Sequence, residues 1–151
     1  MTVEPSYIFI VIQAALLHDT VEDTETTLDE IEEHFGQTVR KVVAEVTDDK
    51  SLPKAERKRL QVVNAPHKSH EAKLVKLADK LYNLRDLATS PPEEWSEARN
   101  QEYFVWSSEV VYGCRGTNEK LEAKLAEVLA TKNVQIEKSI KFLSKYYPIP
   151  Q

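Results

Sequence analysis

Apolar positions along this chain recur at helical rather than strand spacing, and the breaks between runs are short. Residues 1–6 carry no structural signal. From about Tyr7 to Asp19, Ile8-Phe9-Ile10-Val11-Ile12 alone would suit a strand. The helix formers Gln13-Ala14-Ala15-Leu16-Leu17 follow, so a buried helix is expected with His18-Asp19 at its C-terminal end. Thr27-Leu28-Asp29-Glu30 is a capping-box pattern, with Thr27 as N-cap and Glu30 reaching back. Leu28, Ile31 and Phe35 then line one face until Gly36, and Val39, Val42, Val43 and Val46 continue the spacing in the next segment. Residues 47–51 read as a loop, and Pro53 as a first-turn residue of a helix from Lys54 to about Asn64. Ala65-Pro66-His67 ends that helix.

Glu71 to Leu87 is expected to be helical, with Leu74, Leu77, Ala78, Leu81 and Leu84 as its apolar stripe. Ser90-Pro91-Pro92 is the clearest break, too short for a domain linker. A long helix from about Pro92 to Cys114 follows, with Trp95, Phe104, Val105, Trp106, Val110 and Val111 mostly in the core. Thr117 reads as the N-cap of an amphipathic helix carrying Leu121, Leu125 and Val128 or Leu129. The remainder to Tyr147 suits one more helix, stopped by Pro148-Ile149-Pro150. The pattern predicts an all-α bundle of about six to seven helices, and 151 residues suit a single domain with a real core.

Composition narrows the function classes. Three glycines support helices with short connections, and one cysteine, Cys114, excludes an intramolecular disulfide framework. A net charge of −5 argues against a nucleic-acid or membrane-surface binder. The run from Tyr7 to Leu17 is too short to span a bilayer and lacks a signal peptide's basic start, so the cytosol is the expected compartment.

The chemistry concentrates in two places. His18 and Asp19 are adjacent donors that suit one divalent cation, and Glu22-Asp23 sits one turn on, where carboxylates can position or deprotonate a water. The same residues also fit an ordinary acidic helix end. Asp79 lies beside the stripe of its helix with Asn83 four residues on, so the two stack on one face. A carboxylate there needs a metal or a partner such as Lys76, Lys80 or Asn83. Arg99 and Tyr103, also four apart, fit an anionic ligand or a surface cation–π pair equally well. Lys54, Arg57, Lys58 and Arg59 read mainly as a solvated basic face, and His67 and His70 as exposed.

Taken together, Gln13 to Thr24, Val46-Thr47-Asp48-Asp49-Lys50, Glu56 to Gln61 and Ala72 to Arg85 resemble the HD-domain superfamily. More closely they resemble its (p)ppGpp hydrolases of the RelA/SpoT type, in the small stand-alone animal form, over about Val11 to Ala130. The resemblance implies a single HD phosphohydrolase domain over 1–151, with family-like 11–130, a divergent start at 1–10 and a divergent tail at 131–151. It implies Mn²⁺ held by His18, Asp19 and Asp79, with Glu22 and Asp23 as the catalytic acidic pair. Lys54, Asn83, Arg99 and Tyr103 match positions near the nucleotide. The implied reaction converts ppGpp to GDP and pyrophosphate, and animal members are also associated with removing the 2′-phosphate of NADPH. A nucleotide is therefore the expected partner, nucleic acid and membrane are not, and a homo-oligomer is compatible with the sequence.

One element of the family pattern is absent from this sequence. Residues 1–10 hold no His, Lys or Arg where the family carries its first His ligand and a basic pair, and His34, His67 and His70 stand elsewhere. The expectations are a truncated N-terminus, weaker metal binding and apolar surface left exposed. A non-catalytic form that binds nucleotide or a full-length subunit is the alternative.

Overall fold

The computed structural model describes residues 5–137, with side chains from residue 9 onward. Eight α-helices follow one another: α1 (Pro5–Leu17), α2 (Thr20–Asp23), α3 (Leu28–Phe35), α4 (Gln37–Val46), α5 (Lys54–Asn64), α6 (His70–Thr89), α7 (Glu97–Gly113) and α8 (Glu119–Ala130). A 3₁₀ turn at Ala65–His67 follows α5. Seven of the eight are longer than a single turn, which matches the all-α expectation. Among the described residues no helix is long and apolar enough to cross a membrane.

α6 is the axis. Ser69 caps it by accepting the Ala72 N–H at 3.2 Å, satisfying one of the donors a helix start leaves free. Its first half buries Ala72 and Val75 in a core with Ala14, Ile31, Val39, Val42, Val43 and Val46. Its second half buries Leu77, Leu81, Leu84 and Leu87 against Phe104, Trp106, Val110 and Val111 of α7 and Leu125, Val128 and Leu129 of α8. Each such side chain removed from water contributes about 1.5–3 kcal/mol. The chain is therefore two apolar clusters strung on one helix, and a residue near its middle looks into both.

Several expectations shift by a residue or a face. His18 and Asp19 stand in the turn after α1 rather than in its last turn. Thr27 does accept the Glu30 N–H, at 3.2 Å. Phe35 is 41% exposed rather than part of a buried face, because the chain turns at Gly36 (φ 90°) before Phe35 meets a partner. Ala78 is exposed, and Lys80 takes the buried place on α6. Pro53 precedes α5 instead of joining its first turn. α7 starts at Glu97, not Pro92, since Ser96 accepts the Arg99 N–H at 3.1 Å. The N-cap of α8 is Asn118, because the Thr117 hydroxyl donates to the Cys114 carbonyl at 2.6 Å. Residues 131–137 are turn and coil, and the rest of the expected final helix lies outside the described residues. His67 and His70 are exposed as expected, and α1 exposes Phe9, Ile12 and Leu16.

Candidate active site

The turn after α1 sets the first part of the site. Thr20 Oγ1 donates to the Leu17 carbonyl at 2.7 Å, and Thr24 N–H closes α2 on the Thr20 carbonyl at 3.0 Å. His18 Nδ1–H points to the Ala15 carbonyl at 2.5 Å, which fixes the ring and its tautomer and leaves Nε2 facing outward. Nε2 meets Asp79 Oδ1 of α6 at 3.1 Å and Asp19 Oδ2 at 3.2 Å. An imidazole lone pair and two carboxylates repel unless a proton or a cation lies among them. The same pull raises the His18 pKa to about 9, chiefly through the Asp79 hydrogen bond, against the opposing effect of burial.

Asp79 is held from three sides. Its side chain is 17% exposed; Asn83 Nδ2 donates to Oδ1 at 3.3 Å, and Lys80 Nζ stands 3.7 Å from Oδ2. Burial pushes its carboxyl up, but the His18 bond and the Lys80 and Lys76 charges outweigh it, so the pKa is lowered and the carboxylate stays ionised. Lys80 itself is 3% exposed, its ammonium 4.1 Å from the Trp106 ring centre and 5.7 Å from that of Tyr103. Of the three partners foreseen for Asp79, Lys80 stands within ion-pair distance, Asn83 hydrogen-bonds to it and Lys76 acts through its charge, all in addition to the contact with His18.

Ligands of one ion at about 2.1 Å and right angles stand about 3 Å apart, the separation His18 Nε2 keeps from both carboxylates. One imidazole nitrogen and two carboxylates fit a divalent metal of oxygen and nitrogen preference. Among the described residues, however, no three or more His, Cys, Asp or Glu side chains are arranged so as to hold a metal ion as they stand. The trio instead closes on itself, the protonated Nε2 of His18 facing the two carboxylates that accept from it.

The acidic pair stands beside this centre. Glu22 is half-buried and accepts the Asp48 backbone N–H at 2.5 Å. Burial raises its pKa, opposed by that N–H and by Lys76, and reinforced by Asp48 and Asp19. Asp23 is exposed, with Lys50 Nζ 3.4 Å from its Oδ1.

Lys54, Arg99 and Tyr103 gather around a cavity of about 500 Å³ that Lys58 and Trp95 also line. Arg99 stacks on Trp95 at 4.1 Å rather than on Tyr103. The Tyr103 hydroxyl interacts with Asn83, and burial, with the Asp79 charge adding to it, pushes its pKa to about 12. Tyr103 therefore joins the cationic cavity to the His18–Asp79 centre. Lys58 corrects the expectation of a solvated face: its ammonium is 4.9 Å from the Trp106 ring, and burial with the neighbouring Lys54, Lys80 and Arg99 charges lowers its pKa.

Lys80, Lys58, Trp95, Asp48 and Lys50 were not among the expected site residues. One signal was available for Lys80: it lies three residues from Leu77 and four from Leu84, on the stripe itself.

A family model described as HD domain matches residues 10–108. The chain is 67% identical over 126 residues to the guanosine-3′,5′-bis(diphosphate) 3′-pyrophosphohydrolase MESH1 of Xenopus tropicalis, covering 83% of this chain and 70% of that protein. It is 65% identical over 127 residues to the Homo sapiens protein of the same name, covering 84% and 71%. It also resembles the solved structure of a metazoan orthologue of SpoT that hydrolyses ppGpp, with a TM-score of 0.81 and 53% identity over 83% of this chain and 70% of that one. Helix order, the convergence of His18, Asp19 and Asp79, and this similarity agree: the chain belongs to the HD-domain family, in the branch that holds the animal MESH1 proteins.

Proposed function

We propose that this chain hydrolyses guanosine-3′,5′-bis(diphosphate) to GDP and pyrophosphate, with His18, Asp19 and Asp79 as the ligands of its metal. HD-domain hydrolases of this kind depend on a divalent metal, and we assign Mn²⁺ from the mixed oxygen–nitrogen donor set. The observation that carries the assignment is His18 Nε2 standing 3.1 and 3.2 Å from two carboxylates while Nδ1 is tied to a backbone carbonyl. When bound, the ion supplies charge neutralisation at the phosphate and a more acidic water.

The chain's own residues do the rest. Glu22, with its pKa raised by burial, accepts a proton from the attacking water. A bond forms between the water oxygen and the phosphorus attached to O3′, the P–O3′ bond breaks, and O3′ leaves as the hydroxyl of GDP with a proton from solvent, to which Glu22 returns the one it took. Asp23 stands beside Glu22, facing solvent and Lys50. Lys54 and Arg99 bring positive charge to the nucleotide cavity, and the Tyr103 hydroxyl keeps its proton at any physiological pH and donates it as a hydrogen bond. Asn83 fixes Asp79 and, through Tyr103, the wall between the two halves of the site. The 2′-phosphate of NADPH is the second substrate we assign, since it also sits on a ribose hydroxyl.

The test is release of GDP and pyrophosphate from guanosine-3′,5′-bis(diphosphate), and of phosphate from NADPH, by the purified chain with Mn²⁺. Asp79→Asn is expected to abolish both. Turnover that survives Asp79→Asn, or that persists in excess chelator, would overturn the assignment. A chain that binds nucleotide without turnover would leave the non-catalytic alternative in its place.

A further inference from the structure

α2 is a single turn with no buried residue, and four residues do not hold a helix by themselves. The position of Glu22 is therefore fixed from outside. Val21 packs against the core, and the carboxylate and main-chain carbonyl of Glu22 are held from the segment between α4 and α5. Asp48 N–H donates to Glu22 Oε1 at 2.5 Å, and Lys50 Nζ donates to the Glu22 carbonyl at 2.6 Å while standing 3.4 Å from Asp23 Oδ1. Side chain and main chain of the acidic pair are thus gripped from one stretch of three residues.

That stretch is itself tied down. Thr47 Oγ1 donates to the Val43 carbonyl at 2.6 Å, anchoring the segment to the end of α4. Gln61 of α5 donates to Asp48 Oδ2 at 2.6 Å. Ser51 donates its N–H and its hydroxyl to Asp49 Oδ1 at 3.0 and 2.6 Å, and Leu52 N–H closes on the Asp49 carbonyl at 3.1 Å. The side-chain tie from Gln61 to Asp48 holds the residue whose N–H meets Glu22.

We propose that this segment is a clamp, in which Asp48 and Lys50 are positioning residues that hold the acidic pair in place, with Glu22 near Asp19. The proposal rests on the assignment of Glu22 as the base. The charged groups around the Glu22 carboxylate are Asp48, Lys76 and Asp19, with Lys50 on its main-chain carbonyl. The Asp48 N–H is the directional contact among them, so it selects one orientation of a side chain with three rotatable bonds.

The test is steady-state kinetics of the full chain with Mn²⁺ and guanosine-3′,5′-bis(diphosphate), with folding followed by thermal melts. Asp48→Pro deletes the N–H, and Thr47 already has the extended backbone (φ −92°, ψ 125°) that a residue before proline requires. Asp48→Ala keeps the N–H and loses the carboxylate, both its tie to Gln61 and its charge near Glu22, which Asp48→Pro loses as well. The expected result is kcat for Asp48→Pro about 100-fold below that for Asp48→Ala, with KM within about twofold. The acidic limb of the kcat–pH profile lies higher in Asp48→Pro than in Asp48→Ala, because both lack the Asp48 charge and only the proline variant also loses the donor that favours the ionised carboxylate. Lys50→Met lowers kcat about fivefold at unchanged KM, and Lys50→Arg recovers it. If Asp48→Pro does not fold, the Lys50 pair decides the question. Equal kcat in Asp48→Pro and Asp48→Ala, or wild-type kcat in Lys50→Met, overturns the clamp. Full activity in Glu22→Gln removes the base and the clamp with it. Loss of activity in Glu22→Gln with no effect of the segment variants removes the clamp alone.

Discussion

Replacing Lys80 with methionine should destabilise the fold by about 2–4 kcal/mol. The ammonium is almost fully buried, 3.7 Å from Asp79 Oδ2 and 4.1 Å from the Trp106 ring centre. At an effective dielectric of about 20 the pair attraction is about 4 kcal/mol, and a desolvated cation–π contact adds up to about 2. Removing the ammonium also removes the cost of burying it, and methionine fills most of its volume. Asp79, however, stays buried and ionised with His18 and Asn83 as its nearest partners. Deleting one member of a buried pair typically costs about 3–5 kcal/mol, and the remaining partners soften that figure. Urea unfolding in chelator, where no metal can substitute for the lost charge, measures the change directly. In a thermal scan it corresponds to about 6–12 °C for a chain of this size. A cycle with Asp79→Asn should return a coupling of about 1–3 kcal/mol, with the double variant less unstable than the sum. A loss below about 0.5 kcal/mol, or strict additivity, would show that Lys80 is placed by packing and that its charge is irrelevant to Asp79.

Three further outcomes are expected. His18 carries a pKa of about 9 when folded against 6.5 unfolded, so its contribution to metal-free stability is complete below pH 6.5 and disappears as pH rises through about 9. Mn²⁺ binding near pH 7.5 should accordingly release about one proton, read from calorimetry in buffers of different ionisation enthalpy; zero release would separate His18 from the metal. Gly113→Ala would bring a Cβ within 2.7 Å of the Ala65 Cβ and 3.0 Å of Pro66 Cδ, so α7 and the turn after α5 must part, at about 1–3 kcal/mol by chemical denaturation. An unchanged midpoint would mean that the two elements move apart freely. Arg99→Ala and Lys54→Ala should each raise KM about tenfold with a smaller effect on kcat, and a reversed pattern would place them at the reacting phosphate instead.

Much of this molecule is legible without coordinates, for a physical reason. The four valines of α4 all prove buried, because a helix presenting apolar groups at that spacing has one stable orientation. Asp79 and Asn83 stack as their four-residue separation requires. Misplaced boundaries lie where two polar residues compete for one job: Ser96 caps α7 beyond the Pro91-Pro92 break, and Asn118 caps α8 because Thr117 is already bonded to the preceding turn. Lys80 was hidden for a different reason. A periodic stripe identifies a face, but a cation is acceptable there only once α7 supplies Trp106 and Tyr103 and α6 itself supplies Asp79. The cationic cavity was half visible: Lys54, Arg99 and Tyr103 came from a resemblance, whereas Trp95 and Lys58 became site residues only when α5 and α7 were set side by side.

The placement of the chain's two indoles has a practical consequence. Trp95 lines the cavity under the Arg99 guanidinium, and Trp106 packs behind Tyr103 with the Lys58 and Lys80 ammoniums on its ring. A polyphosphate entering the cavity draws those cations toward itself and changes the field at both rings. The protein thus carries its own fluorescence reporter, and emission from Trp106→Phe and Trp95→Phe variants would follow nucleotide arrival at the cavity wall and in the core behind Tyr103 separately, without a label.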